Sequence, residues 1–289
     1  MKTILITGIN GFLGSHLAKK LSHNFNIIGL EYSLDNLDRI KNCEYKVYSS
    51  SENFENIFKE NKIFAIIHAA TLYRRNKSVL LESLIQTNIM LPVKLYELAE
   101  KHSCTIFLNI DTFFNDPKHK YNYLSDYTLS KKQVIEWLKL SADRCKLVNM
   151  KIFHMYGEND AISKFIPQMI HRLENNDKSI DLTSGDQKRD FIYIDDVVNA
   201  FSIVLKNEKK ISNKFIEFQV GNGNSVSIKN LMIVLKNLTK STSLLNFGKV
   251  PHIEGEIMDS KANNNDLLKL GWTNEFNLNK GLLRLIKQL

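Results

Sequence analysis

The stretch Thr3-Ile4-Leu5-Ile6-Thr7-Gly8-Ile9-Asn10-Gly11-Phe12-Leu13-Gly14 decides the fold. A short apolar strand runs straight into glycines at 8, 11 and 14, and apolar residues then recur at helical spacing from Phe12 to Leu21. A strand, a tight glycine turn and a helix in that order have a physical use. The chain must turn sharply, bring its backbone close to a diphosphate with no Cβ in the way, and begin a helix packed on the sheet. The helix start then offers free N–H groups and a positive dipole end to the phosphates. Gly8, Gly11, Phe12, Leu13 and Gly14 are therefore the predicted dinucleotide-binding residues. Elsewhere a glycine triplet would be an ordinary turn; its place between the first strand and the first helix gives it meaning.

The alternation continues downstream. Residues 26–30, 45–48, 64–67, 105–109 and 147–153 read as strands, and residues 79–101 and 127–140 as helices. Strands separated by long helices pair in parallel, so the predicted fold class is α/β: a Rossmann-type doubly wound parallel sheet with helices on both faces. After Gly157 the pattern loosens. Residues 190–194 form one more strand-like run, and the remainder mixes short helices with Asn-rich connections. The expected organisation is a dinucleotide-binding domain over 1–157, a segment near 190–207 returning to it, and a smaller C-terminal substrate-binding lobe over 158–289.

Composition narrows the class. The 289 residues are 43% hydrophobic and 24% charged, which is ordinary for a globular chain and excludes a disordered or collagen-like one. No apolar run approaches the ~20 residues of a membrane helix. No small-residue cleavage site follows the first strand, so a secretory leader is not expected. Cys43, Cys104 and Cys145 are spaced for neither a zinc site nor a disulfide framework, so no metal is expected and a reducing, cytoplasmic setting is. The net charge of +8 comes mostly from scattered lysines; even Lys206-Asn207-Glu208-Lys209-Lys210 is broken by an acid. Such a surface is solvated and does not predict a nucleic-acid partner. A small anionic ligand accounts better for any local basic cluster.

Two further features carry chemistry. Glu31 ends the second strand, where a carboxylate can accept from the adenosine ribose hydroxyls and would repel a 2′-phosphate. It favours NAD(H), or is a solvated strand-end charge; Arg39, nearby in sequence, keeps NADP(H) open. Tyr127-Thr128-Leu129-Ser130-Lys131 sets a phenol and an ammonium on one helix face. A free tyrosine titrates near 10, so the spacing predicts that Lys131 lowers that value and makes Tyr127 a usable acid/base. The bare pattern is also common on solvated helices, and its position after the fifth strand raises it above that.

These residues together resemble the extended short-chain dehydrogenase/reductases, in particular the nucleotide-sugar epimerase/dehydratase/reductase family. The resemblance spans essentially the whole chain. It rests on Thr7 to Gly14, Ile67-His68-Ala69-Ala70, Asn88, Tyr127 with Lys131, Tyr156-Gly157, and Arg189-Asp190-Phe191-Ile192-Tyr193-Ile194-Asp195-Asp196. Phe107-Leu108-Asn109-Ile110-Asp111-Thr112-Phe113-Phe114 is similar to the bacterial branch acting on 4-keto-6-deoxy-hexoses. The resemblance implies that Ala69, Ala70 and Thr71 line the cofactor. It implies that Asn88 supports its nicotinamide side, and that Lys131 holds the nicotinamide ribose while tuning Tyr127. Thr112 falls where the family places a hydroxyl that bonds the reacting sugar oxygen; otherwise it is a strand-end threonine. Arg189 is implied at the diphosphate of a sugar nucleotide, where a guanidinium binds bidentately; the alternative is a salt bridge to Asp190 or Asp186. His154 is either a substrate contact or a structural histidine.

The departures are informative. Where the dehydratases of the family carry an Asp-Glu pair, Thr112 is followed by Phe113-Phe114, which disfavours 4,6-dehydration. The gap from Thr112 to Tyr127, 127 − 112 = 15 residues, is short for the family. The resemblance thus implies NAD(P)-dependent reduction of a nucleotide-linked 4-keto-6-deoxy-hexose at C4, in deoxysugar biosynthesis for surface polysaccharide. Nucleotide-sugar 4-epimerisation is the alternative, and a catalytically silent dinucleotide- or RNA-binding relative is the third reading. A homodimer is expected by analogy with the family.

Overall fold

The computed structural model describes residues 1–74, 79–115 and 124–288. The chain runs β1 (Thr3–Thr7), α1 (Phe12–Leu21), β2 (Asn26–Glu31), β3 (Lys46–Ser49), α2 (Phe54–Glu60), β4 (Ile63–His68), α3 (Leu81–Ile85), α4 (Leu91–Lys101), β5 (Ile106–Thr112), α5 (Ser125–Ser141), β6 (Lys146–Ile152) and β7 (His154–Tyr156). It continues through α6 (Phe165–Glu174), β8 (Ser179–Asp181), β9 (Lys188–Arg189), β10 (Phe191–Tyr193), α7 (Ile194–Lys206) and β11 (Phe215–Val220). The last elements are β12 (Val226–Ser227), α8 (Ile228–Thr239), β13 (Leu244–Asn246), β14 (Asp259–Ser260), α9 (Asn265–Lys269) and α10 (Leu278–Ile286).

Seven strands form one sheet in the order β11-β6-β5-β4-β1-β2-β3. Pairing is parallel from β3 through β2, β1 and β4 to β5. Between β6 and β11 the Leu147 N–H meets the Lys214 carbonyl and the Phe153 N–H that of Val220, so the numbers rise together there too. This is the predicted doubly wound fold. Strand order reverses at β1, which has β2 on one side and β4 on the other, and ligands of such sheets bind beyond the carboxyl ends at that point. Leu5, Ile28, Ile66 and Phe107 in the sheet pack with Leu95 and Tyr96 of α4 and Val134 and Leu138 of α5 as one buried core. The Tyr96 hydroxyl donates to the Cys145 carbonyl at 2.6 Å, so its one polar atom is satisfied inside that core.

Two elements differ from expectation. Helix α2 was invisible to periodicity because seven residues give under two turns; Asn53 starts it by accepting the Glu55 N–H at 3.0 Å. The helix expected over 79–101 is interrupted by a π-helical turn at Gln86–Met90, where the Leu91 N–H reaches back to the Gln86 carbonyl. Pro92 lies at the start of α4. It has no N–H to return to Asn88, and its ring would press on that carbonyl in a regular helix.

The described residues divide into two compact units. One comprises the chain up to 151 together with 201–218; the other comprises 152–200 and the chain from 219 onward. The chain leaves the first unit at 151 where 157 was expected, because β7 pairs with β10 and takes Tyr156-Gly157 with it. The returning segment is 201–218, where 190–207 was expected. Within the second unit β9 lies between β12 and β14, β8 pairs with β13, and Trp272 is fully buried with its indole N–H on the Asp196 carbonyl. The Asp196 carboxylate takes the N–H groups of Glu275 and Phe276, and Asp190 takes those of Asn222, Gly223 and Ala262. Two of the three acids of the 189–196 motif therefore fasten backbone, and the third, Asp195, pairs with Arg284 at 3.2 Å. Among the described residues no helix is long and apolar enough to cross a membrane.

Candidate active site

The glycine turn is closed backbone on backbone. Gly8 sits at φ +64°, donates its N–H to the Leu30 carbonyl at 2.8 Å, and takes the Gly11 N–H on its own carbonyl at 2.9 Å. A Cβ on Gly14 would lie 2.0 Å from that same oxygen, and one on Gly8 would lie 2.8 Å from the Ala70 backbone. Helix α1 starts at Gly11 with no side-chain cap, so its first-turn N–H groups at Phe12, Leu13 and Gly14 face outward with the dipole. An uncapped helix start behind a turn too tight for any Cβ fits a diphosphate.

Around that cradle the end of β4 is laced to β1. The Thr7 hydroxyl receives the Ala70 N–H at 3.1 Å and meets His68 Nδ1 at 2.9 Å, while the Thr7 carbonyl takes the Ala69 N–H. His68 is fully buried, and burial holds its pKa well below the ordinary value, so the ring is neutral. Glu31 stands at the end of β2 and accepts the Asn10 N–H from the glycine turn. Burial raises its pKa, and the Asn10 and Tyr32 N–H groups oppose that rise. Arg39 reaches the other side of Asn10, its N–H on Oδ1 at 2.9 Å and its guanidinium on the carbonyl at 3.3 Å. An acid and a guanidinium thus share the rim where the ribose of a dinucleotide would lie.

Asn88, inside the π-helical turn, is completely buried. Its carboxamide accepts the Leu72 N–H at 2.8 Å and donates to the Leu72 carbonyl at 2.9 Å and to the Ser130 hydroxyl at 3.0 Å. Ser130 in turn donates to the Tyr127 carbonyl at 2.7 Å. Asn88 therefore ties the segment after β4, including Thr71, to the helix that carries Tyr127 and Lys131.

Tyr127, Lys131 and Thr112 come together. Lys131 is 2% exposed, donates to the Ile110 carbonyl at 3.0 Å, and stands 6.0 Å from the centre of the Tyr127 ring. Burial brings its pKa down to about 8, and the Asp111 carboxylate resists that fall. Tyr127 interacts with Thr112 and with Tyr73, whose ring centroid lies 4.5 Å from its own with the two planes tilted by 30°. The expectation that Lys131 lowers the Tyr127 pKa is not met here. Burial first, then Tyr73 and Asp111, push the phenol well above its ordinary value, and the Thr112 hydroxyl opposes them. At neutral pH the phenol stands protonated.

Sequence reading missed Tyr73 and Asp111. Tyr73 lies in an irregular segment with no period; Arg74 beside it is anchored to Asp126 at 3.2 Å and to the Val79 carbonyl. Asp111 had a signal, since a charge inside an otherwise strand-like run is unusual. Phe113 and Phe114, at the positions of the dehydratase carboxylates, have ring centroids 4.1 Å apart with their planes tilted by 39°. Residues 116–123, which contain most of the short gap before Tyr127, lie outside the described residues.

In the second unit, Arg189 pairs with Glu256 at 2.7 Å and donates to the carbonyls of Lys188 and Ile257. Its carboxylate partner is thus Glu256; Asp190 serves the backbone. The other Glu256 oxygen meets His252 Nδ1 at 3.0 Å. His154 is partly buried with its ring edge-on to Phe191, and burial, aided by the charges of Arg189 and Lys164, holds it neutral.

A Rossmann sheet with this cradle and a buried Tyr-Lys pair defines a dinucleotide-dependent short-chain enzyme, and similarity to known proteins narrows the class. Residues 4–221 match the NAD dependent epimerase/dehydratase family, and the chain belongs to that family. It is 34% identical to CDP-abequose synthase of Salmonella typhimurium, with 99% of this chain and 98% of that one covered. The fold matches UDP-glucose 4-epimerase of Thermotoga maritima with a TM-score of 0.85 at 21% identity, covering 99% and 97% of the two chains. It matches UDP-glucuronic acid 4-epimerase of Bacillus cereus, in complex with UDP-glucuronic acid and NAD, with a TM-score of 0.83 at 20% identity and 99% of both chains.

Proposed function

We propose that this enzyme reduces a nucleotide-linked 4-keto-6-deoxy-hexose at C4. The observation that carries the reading is the buried meeting of Tyr127 with Lys131, 6.0 Å from its ring centre, and with Thr112 at the end of β5. Reduction of a ketone requires an acid at the carbonyl oxygen, and a protonated phenol can supply that proton. Tyr127 Oη donates its proton to the C4 oxygen, and the Thr112 hydroxyl bonds the same oxygen and orients it. The absence of carboxylates at Phe113-Phe114 and the similarity to CDP-abequose synthase support reduction over dehydration. A nicotinamide, when bound, supplies the hydride chemistry.

The turn at Gly8, Gly11 and Gly14, with the N–H groups of Phe12 and Leu13, holds the diphosphate of the dinucleotide. Ala69, Ala70 and Thr71 line it, Glu31 takes the adenosine ribose and selects NAD(H), and Lys131 holds the other ribose. Asn88 supports the nicotinamide side through Leu72 and Ser130. Arg189 meets the diphosphate of the sugar nucleotide, with Glu256 fixing its plane, and His154 contacts the sugar as a neutral imidazole. The product class is a deoxysugar nucleotide of the kind used for surface polysaccharide.

The enzyme acts as a homodimer. Leu129, Trp137 and Leu140 of α5 are exposed, as are Leu81 and Ile85 of the neighbouring α3. At 100° per residue the three on α5 fall within about 80° of one another, an apolar stripe suited to a second copy. Trp137→Glu should yield monomers by light scattering; an unchanged mass would remove this face from the interface. The reaction is tested by following NADH or NADPH oxidation with nucleotide-linked 4-keto-6-deoxy sugars. Interconversion of C4 epimers on NAD that survives gel filtration, with no net oxidation, would assign the epimerase alternative instead.

A further inference from the structure

The buried acid Asp111 takes no part in the proton transfer described above, yet it immediately precedes Thr112 at the end of β5. It is 3% exposed. Its Oδ1 takes the Thr112 N–H at 2.8 Å, its Oδ2 takes Asn149 Nδ2 at 2.9 Å, and Asn115 Nδ2 lies 3.3 Å away. The Lys131 ammonium is held on the carbonyl of Ile110, the residue immediately before it.

Asp111 is also one end of a polar band. Asn109 and Asp111 of β5 and Asn149 and Lys151 of β6 are alternate residues, each pair on one face of its strand. Asn109 donates to Asn149 Oδ1 at 2.8 Å. Asn149 Nδ2 donates both to Asp111 and, at 2.8 Å, to Glu217 of β11, which pairs with Lys151 at 2.8 Å. Asp111 and Glu217 thus flank one amide, Asn149, and Glu217 has Lys151 on its far side. Asp111 is faced by Lys131 and Tyr127 from α5 and by Lys151 from β6. Lys131 is also faced by neutral His68 from β4.

A buried ammonium is costly unless an anion shares its site. We propose that Asp111 is a positioning residue of the proton-transfer centre, its carboxylate anchored by Asn149 and the Thr112 N–H as the counter-ion that keeps the Lys131 ammonium charged. It rests on the assignment of Tyr127 and Lys131 as the working pair. Burial raises the Asp111 pKa, and Asn149, the Thr112 N–H, Lys151 and Lys131 oppose that rise, while the Asp111 charge raises Lys131 against burial and raises Tyr127 as well. Losing it should make both groups give up their protons at lower pH. The same carboxylate fixes the backbone N–H of Thr112, so it also sets where that hydroxyl stands.

The test is a titration of ligand-free full-length protein labelled with 13Cε-lysine, the Lys131 signal being identified by its loss in Lys131→Arg. The wild-type midpoint should lie at about 8. Asp111→Asn should move it down by about one unit, the size expected for removing a neighbouring charge. The affinity for NADH should then begin to fall at correspondingly lower pH. A lower melting temperature with an unmoved midpoint would show that Asp111 is merely structural and overturn the proposal. Should Asp111→Asn not fold, Asp111→Ser keeps an acceptor for the Thr112 N–H. The wild type alone also decides, since a Lys131 midpoint below neutrality would mean that no anion supports the ammonium. None of these readouts uses a sugar substrate, so failure of the C4-reduction reading would leave this result intact, and the converse.

Discussion

Gly14→Ala is the sharpest perturbation of the cofactor cradle. The new Cβ would lie 2.0 Å from the Gly8 carbonyl oxygen, where ordinary contact begins at 3.4 Å, so 3.4 − 2.0 = 1.4 Å must be found by moving backbone. Gly8 cannot give way easily, because its N–H is bonded to Leu30 and its carbonyl to Gly11. The first turn of α1 must therefore shift against the proposed diphosphate site. Losing one charge-assisted hydrogen bond there is worth roughly 1.5–3 kcal/mol, or about ten- to a hundredfold in Kd. Fluorescence titration with NADH measures this directly, with a melting curve alongside. Gly248→Ala is the control: at φ +81° with nothing within 4 Å, it should cost about 1–2 kcal/mol of stability and leave NADH affinity alone. Wild-type NADH affinity in a folded Gly14→Ala protein would refute the reasoning.

Glu31→Ser should weaken NADH binding by about ten- to a hundredfold and improve NADPH binding, since Arg39 stays on the rim; unchanged constants for both would remove Glu31 from the ribose. Arg189→Ala would take the guanidinium from Glu256, and breaking such a buried pair costs about 3–5 kcal/mol, so Arg189→Lys is the cleaner probe. It should raise the KM for the sugar nucleotide and spare NADH affinity; an unaltered KM would assign the guanidinium to Glu256 alone. Thr112→Val should lower kcat, and the double variant with Tyr127→Phe should be little worse than Tyr127→Phe alone if both serve one oxygen. Full additivity would separate their roles.

The sheet was legible because its strands are apolar runs bounded by turns, and the glycine spacing carries its own geometric reason. Helix α2 was not, being too short to show a period, and neither was the break at Gln86–Met90, although Pro92 marked it. At the site, Tyr127 and Lys131 were readable from spacing four apart, but the direction of the Tyr127 shift was not. That direction depends on burial and on Tyr73 and Asp111, neighbours brought in by tertiary structure. The partner of Arg189 was misplaced for the same kind of reason: Asp190 is adjacent in sequence, but its carboxylate is engaged by three backbone N–H groups, and Glu256 arrives from a distant loop.

Isotope transfer is the direct measure of hydride delivery to C4 with Tyr127 as the acid. The enzyme would be incubated with NADH deuterated at the transferring position and a CDP-linked 4-keto-6-deoxy-hexose, and the product examined by NMR. One deuterium should appear at C4 per NADH oxidised, and Tyr127→Phe should lose about 10²–10⁴ in kcat with NADH binding intact. A product without deuterium at C4, or near-wild-type turnover in Tyr127→Phe, would contradict it.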